Sequence, residues 1–264
     1  MNGAEYLIVI GIGAMFLLII SLLLAFNTSQ RKKFQYRQNV LKLKEEQQNE
    51  LIKAAVRSEE MERHRISEEL HDEVGALLSA TKLYLSNLHP EQFPKEDATV
   101  YNKSLELLDD SIQKVRSISH NLHSGILKEL GLNQALQSFT HKLGQAGGLE
   151  IHIELDENYN SKNPESDISI YRIMQELFIN IIKHSKATRL KITSRIEDNI
   201  LTFTILHNGK GLTQDEFERL RYEGRGLGLK NIQNRIILLK GKINFEKSGD
   251  ENIITLNTPV NALS

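Results

Sequence analysis

The sequence predicts a multi-domain chain: a transmembrane helix, an all-α hairpin that forms a four-helix bundle in a dimer, and an α+β layer domain. Three observations carry that prediction. Tyr6–Phe26 reads YLIVIGIGAMFLLIISLLLAF, without a charge or a proline. Apolar residues then recur at steps of three and four from Ile66 to Ile126, the period of helices. Past GQAGGLEIHIEL, near residue 145, apolar and polar residues alternate, the period of strands.

As a helix rising ~1.5 Å per residue, the first segment spans about 30 Å, the thickness of a bilayer's hydrocarbon core. A cleaved signal peptide would want a basic start, a shorter apolar run and a small-residue cleavage site. Here residues 1–5 carry no base, and Arg31, Lys32 and Lys33 follow the run. The positive-inside rule then makes residues 6–26 a single-pass anchor, with residues 1–5 outside and the rest in the cytoplasm. Residues 27–60 are polar, rich in helix formers and free of Gly and Pro, and read as a helical stalk.

In the hairpin, Ile66, Leu70, Val74, Leu77, Tyr84 and Leu88 form one apolar stripe. Pro90 and Pro94 end that helix. Leu105, Leu108, Ile112, Val115, Leu122 and Ile126 form the stripe of its return. A lone hairpin leaves part of such a stripe wet, so a homodimeric bundle is expected. Inside the first helix stands ELHDEVG, residues 69–75. Neutral imidazole is a nucleophile near physiological pH, and His71 has small neighbours one turn away on both sides, Ser67 and Gly75. Asp72 can fix its tautomer or take its proton, but adjacent residues of a helix do not face each other, so any contact must come through side-chain rotation.

In the layer domain, strands are expected at 149–155, 190–196, 201–207, 242–246 and 252–257, with helices at about 166–185 and 227–240. Glu176, Asn180 and Lys183 lie at i, i+4 and i+7 opposite the first helix's apolar face, with His184 beside them. Asn is a poor interior helix residue, and Glu with Asn supplies hard oxygen ligands that suit Mg²⁺. At the end of the third strand, LHNGKGL turns His207 toward the core, and the chain breaks into a loop at Asn208, Gly209 and Gly211. GRGLGL, with Gly226, Leu227 and Gly228, opens onto a helix whose N-terminus favours phosphate. It is not a dinucleotide fingerprint, because a helix-like stretch rather than a strand precedes it. Together these segments predict one pocket with Mg²⁺ ligands, a purine slot and a phosphate cradle.

The stretch ERHRISEELHDEVG from Glu62 resembles the phosphoacceptor helix of membrane-bound sensor histidine kinases of two-component systems. The layer domain resembles the GHKL, or Bergerat, ATP-binding fold shared with gyrase and Hsp90-type ATPases. The resemblance covers about residues 60–258. It implies a dimerisation and histidine phosphotransfer domain at 61–145 and an ATP-binding catalytic domain at 146–260. It implies that His71 accepts phosphate from ATP with Asp72 assisting, and that Glu176 and Asn180 form the N box, with Asn180 on Mg²⁺. Gly209 and Gly211 match the first glycine box, and Gly226 and Gly228 the second. Phosphate would pass to an Asp of a response regulator, often one with a helix-turn-helix output domain, at the bacterial inner membrane.

Three positions depart from the family pattern. His207 stands where an Asp accepts a hydrogen bond from adenine; a neutral imidazole can also accept one. Ala76 replaces a Gln that serves dephosphorylation of the regulator, so poor phosphatase activity is expected. GDENIITLNTP replaces a Gly-Thr pair before the last strand. His207 keeps an alternative open: a kinase-like scaffold that binds a regulator or membrane partner without phosphotransfer. Direct nucleic-acid binding is not expected, since 33 basic residues face 34 acidic ones. Without cysteine there is no thiolate metal site, and His120 and His123, at i and i+3, lack an evident third ligand.

Overall fold

The computed structural model describes residues 3–88, 94–123, 125–160, 163–221 and 227–260. Helix α1 (Gly3–Glu69) begins in a unit comprising residues 1–51; residues 52–264 form a second compact unit. In the first unit the helix includes a stretch long and apolar enough to cross a membrane. Phe16, Leu17, Leu22 and Leu23 all stand exposed along it, where hydrocarbon would cover them.

In the second unit α1 runs into a π-helical turn, Leu70–Val74, and then α2 (Gly75–Ser86). Pro90 lies outside the described residues. Pro94, in an extended conformation, starts α3 (Lys95–Leu122), whose first turn carries Glu96 and Asp97 against the helix dipole. The two arms are antiparallel. Tyr101 donates to the Leu85 carbonyl at 2.8 Å, Lys82 pairs with Asp109, and Ser67 meets Ser119. The serine pair is buried and reciprocal: Ser67 Oγ donates to the Ser119 carbonyl at 2.8 Å, and Ser119 Oγ to the Ser67 carbonyl at 2.9 Å. Small side chains bring the helices close there, and hydrogen bonds satisfy the polar groups that closeness buries. Within one chain Leu77, Leu83, Tyr84 and Leu107 stay exposed, the wet stripe a dimer would cover.

Helix α4 (Gly125–Gly147) kinks at Gly131, where φ is +79°, a conformation glycine takes without strain. There follow β1 (Glu150–Glu154), α5 (Pro164–His184), β2 (Arg189–Glu197), β3 (Ile200–His207), α6 (Gln214–Leu220), α7 (Leu227–Leu238), β4 (Lys242–Ser248) and β5 (Glu251–Pro259). The five-stranded sheet has the order β1-β2-β3-β5-β4, parallel only between β1 and β2. Asp198 and Asn199, both at positive φ, close the β2–β3 hairpin as the primed turn that its twist favours. Along β3 the buried residues alternate as Leu201, Phe203, Ile205 and His207, so one face is covered. Ile170, Ile173, Met174, Leu177, Phe178 and Ile181 of α5 cover it.

One difference from the expected organisation lies in α4. Leu132, Leu136 and Phe139 enter the sheet's core, and Phe139 stacks on Phe178 at 6.3 Å. Helix α4, expected in the dimerisation and phosphotransfer part, thus packs on the sheet layer. Helical period alone cannot say which core a helix joins.

Candidate functional site

Helix α5 is started by Asn163, whose side chain accepts from the backbone N–H groups of Glu165 and Ser166, with Pro164 at the first position. Its apolar face is spent on the sheet. Glu176, Asn180 and His184 therefore project from the other side, into a cavity of about 350 Å³. His207, Lys210, Gly211, Gly228, Phe245 and Ile254 complete much of its wall. Phe245 is held from behind by Phe217 of α6, stacked at 4.8 Å, and α6 starts with a reciprocal Thr213–Glu216 capping box.

Two glycine segments close on this cavity, each where a Cβ would collide with a neighbouring side chain unless that side chain moved. The Lys210 N–H donates to the Ser185 carbonyl at 2.7 Å, drawing the loop after β3 onto the end of α5. A Cβ on Gly211 would come within 2.1 Å of Asn252 Oδ1, and one on Gly228 within 1.9 Å of Glu176 Oε1. Not every expected residue reaches the cavity wall. Lys183 is exposed away from it, and Leu227 is exposed. Asn208 ties strands together: its Oδ1 accepts from the N–H groups of Thr188 and Arg189, and its Nδ2 donates to Thr188 Oγ1. Gly209 lies behind the wall, its carbonyl accepting from Asn252 Nδ2 at 2.5 Å. Gly226 is outside the described residues. Lys210 lies within LHNGKGL, whereas Ser185, at the C-cap of α5, and Asn252, near the start of β5, stand in no motif.

His207 is 3% exposed, lines the cavity, and its Nδ1 has no hydrogen-bond partner. Burial pushes its pKa below the ordinary histidine value of 6.5. The unfolded chain therefore takes up this proton first as pH falls. The group's contribution to stability is flat above about pH 6.5 and declines below it, until the folded ring also protonates. Comparing urea midpoints at pH 7.5 and 5.5, wild type should lose more stability on acidification than His207→Asn; equal losses would contradict this.

His71 and Asp72 occupy the π-helical turn, closed by the Gly75 N–H donating to the Leu70 carbonyl. Such turns recur at functional sites. His71 Nδ1 lies 2.8 Å from Asp72 Oδ1, and both side chains are exposed. An ionised carboxylate can only accept, so Nδ1 is the donor, and in the neutral ring Nε2 keeps the lone pair. The rotation required of two adjacent side chains is thus made. Beside them a groove of about 320 Å³ is lined by Gly75, Ala76 and Ser79 and, from α3, Val115 and Arg116. The groove and the α5 cavity share no residue. Among the described residues there is no cluster able to hold a metal through three His, Asp or Glu side chains. His120 Nδ1 instead lies 3.2 Å from Lys142 Nζ, and the His123 ring packs edge-on to His64.

An exposed, oriented histidine on a helical hairpin, followed by a layered domain with a glycine-rimmed cavity, defines a class, and comparison with known families gives the same one. The histidine kinase family matches residues 62–127, and the histidine kinase-, DNA gyrase B- and HSP90-like ATPase family matches residues 165–262. Between them they cover more than half of the chain, which belongs to the histidine kinases, with a GHKL-type ATPase domain. Two curated relatives are the sensor histidine kinase MctS of Rhizobium johnstonii and the oxygen sensor histidine kinase NreB of Staphylococcus carnosus. Each is 26% identical over 217 residues, covering 80% and 81% of this chain and 46% and 60% of theirs. The chain thus spans about half the length of the curated relatives it matches. A solved histidine kinase domain, from the blue-light activated kinase of Erythrobacter litoralis EL346, aligns at 14% identity with a TM-score of 0.45, covering 70% of this chain and 94% of that one.

Proposed function

We propose that the protein is a homodimeric membrane sensor kinase that phosphorylates its own His71 from ATP and passes the phosphoryl group to an Asp of a response regulator with a helix-turn-helix output domain. The observation that carries this reading is the 2.8 Å contact between His71 Nδ1 and Asp72, which in the neutral ring holds the proton on Nδ1 and leaves the lone pair on Nε2. Nε2 attacks the γ-phosphorus, the bond from phosphorus to the bridging oxygen breaks, and ADP leaves. The imidazole gains positive charge as the new bond forms, and the Asp72 carboxylate, on the Nδ1 proton, stabilises it.

The α5 cavity suits the nucleotide. Its wall is largely apolar, His207 forms part of it where the purine would lie, and its glycines leave room for backbone approach to phosphates. Asn180, with Glu176 one turn away, would hold Mg²⁺, which supplies charge to offset that of the phosphates. The exposed Leu77, Leu83, Tyr84 and Leu107 support dimerisation, and the apolar stretch of α1 supports anchoring. His207 also favours a second reading, a scaffold that binds nucleotide or regulator without transfer.

The test is incubation of the full-length chain in lipid nanodiscs with γ-labelled ATP and Mg²⁺. Label that is acid-labile, alkali-stable and absent in His71→Ala is the expected result. Bound nucleotide with no label in wild type would favour the scaffold.

A further inference from the structure

The α5 cavity has two ends. At one, Gly228 lies against the Glu176 side chain, beside the N-terminus of α7. At the other, the loop after β3 is held to the Ser185 carbonyl by the Lys210 N–H at 2.7 Å. Glu176 and Ser185 stand about 13 Å apart along the helix axis. His207 ends β3 just before that loop, so it belongs to the Ser185 end. Phosphates suit the glycine and helix terminus at the Glu176 end, which leaves the base to His207.

The His207 side chain is 3% exposed yet lines the cavity, in a wall that also holds the buried Ile181 and Ile254. No protein group fixes its tautomer, because Nδ1 is buried without a partner. For His71, by contrast, Asp72 holds the proton on Nδ1. Ser185, also buried, already has its hydroxyl oxygen engaged by the Ala187 N–H at 3.0 Å. Burial lowers the His207 pKa below 6.5 and so keeps the ring neutral near pH 7. A neutral imidazole whose proton can sit on either nitrogen offers Nε2 as acceptor in one tautomer and as donor in the other. Nδ1 stays unpaired in both, so neither tautomer gains there.

We infer that the base slot takes 6-oxopurine nucleotides as well as 6-aminopurine ones, with His207 as the residue that relaxes the choice. Nε2 accepts from the exocyclic N–H of adenine, or carries the proton and donates to the O6 carbonyl of guanine or hypoxanthine. An ionised carboxylate at this position would only accept, and would leave O6 facing a second acceptor. Strong discrimination needs a site that leaves the wrong base unpaired, and a ring able to reverse its polarity does not do so. The inference rests on the nucleotide reading of the cavity above. At the reacting end the step is the same: His71 Nε2 bonds to the γ-phosphorus, the bond to the bridging oxygen breaks, and GDP leaves in place of ADP.

The experiment uses the full-length chain in lipid nanodiscs at pH 7.5 with Mg²⁺. Unlabelled ATP and inosine triphosphate compete for the site against labelled ATP. Their bases differ at position 6 and in the N1 proton that goes with it, so the ratio of affinities reads that contact. In wild type the two affinities should lie within about tenfold, and γ-labelled GTP should label His71 at an initial rate within about tenfold of that from ATP. His207→Asp should shift the ratio toward ATP by about 100-fold. His207→Asn can turn either its oxygen or its NH₂ to the base, so it should keep the ratio within about tenfold, and it serves if the aspartate variant does not fold. A wild-type preference for ATP of about 100-fold or more, or an aspartate variant that binds ATP at the wild-type ratio, would overturn the inference. If both triphosphates bind alike but none labels His71, the kinase reading fails while the base inference stands. If ATP labels His71 and inosine triphosphate does not compete, the base inference fails and the kinase reading stands.

Discussion

Asn180→Ala should bind nucleotide yet label His71 about 100-fold more slowly, or worse, because misplacing the phosphates by about 1 Å costs that much. Asn180 projects from α5 into the cavity, one turn beyond Glu176, and is the neutral oxygen donor of that wall. Phosphoryl transfer is almost entirely positioning and charge compensation, so loss of an oxygen proposed to hold the metal should fall on rate rather than on fold. Alanine is the better helix former, and α5's core face is untouched. The urea midpoint should therefore stay level or rise while activity falls, which separates this result from unfolding. Labelling kinetics over a Mg²⁺ titration provide the check. Wild-type rates at limiting Mg²⁺ would remove Asn180 from the proposed role.

Gly209→Ala should act in the opposite way, on the fold. A Cβ there would lie 2.4 Å from the Ser185 carbonyl oxygen and 2.7 Å from the Ala187 nitrogen. Both are backbone atoms, so neither can swing aside. The loop must retreat, straining the Lys210 bond to Ser185 and the Asn252 bond to Gly209. Overpacking together with one or two lost hydrogen bonds comes to about 2–4 kcal/mol. Chemical denaturation should show this loss, and nucleotide affinity should fall with it. Gly228→Ala is the contrast, since the nearest atoms its Cβ would meet belong to the Glu176 side chain, whose carboxylate can swing aside. A similar loss of stability in both variants would refute the distinction.

Strands β1–β5 were legible because alternation is a local signal: each expected strand lies within two residues of the observed one. The cavity was legible in part for the same reason. Glu176 and Asn180 share a helical face, and alternation along β3 sends His207 inward. A polar residue before a glycine, such as Asn208, reads equally well as a ligand contact or as a strand tie. Lys183 was carried in by its spacing on α5, but the helix turns it to solvent. The ion pairs of Glu59 and Glu60 with Arg172 and Arg235 had no local signature at all. Their partners are more than a hundred residues apart, and each side alone reads as a solvated face. The π-helical turn left no trace in composition either.

That turn has a consequence for the whole hairpin. It spends one more residue than an α-turn, so side chains beyond it lag an uninterrupted helix by about a quarter turn or slightly more. Before it Ser67 meets α3, and beyond it Lys82 and the Leu85 carbonyl still do, while Leu77 and Tyr84 are 69% and 76% exposed. The helix therefore holds its own return arm on both sides of His71 and, past the turn, also offers Leu77, Leu83 and Tyr84 outward, so the proposed phosphoacceptor sits where surface left for another chain begins.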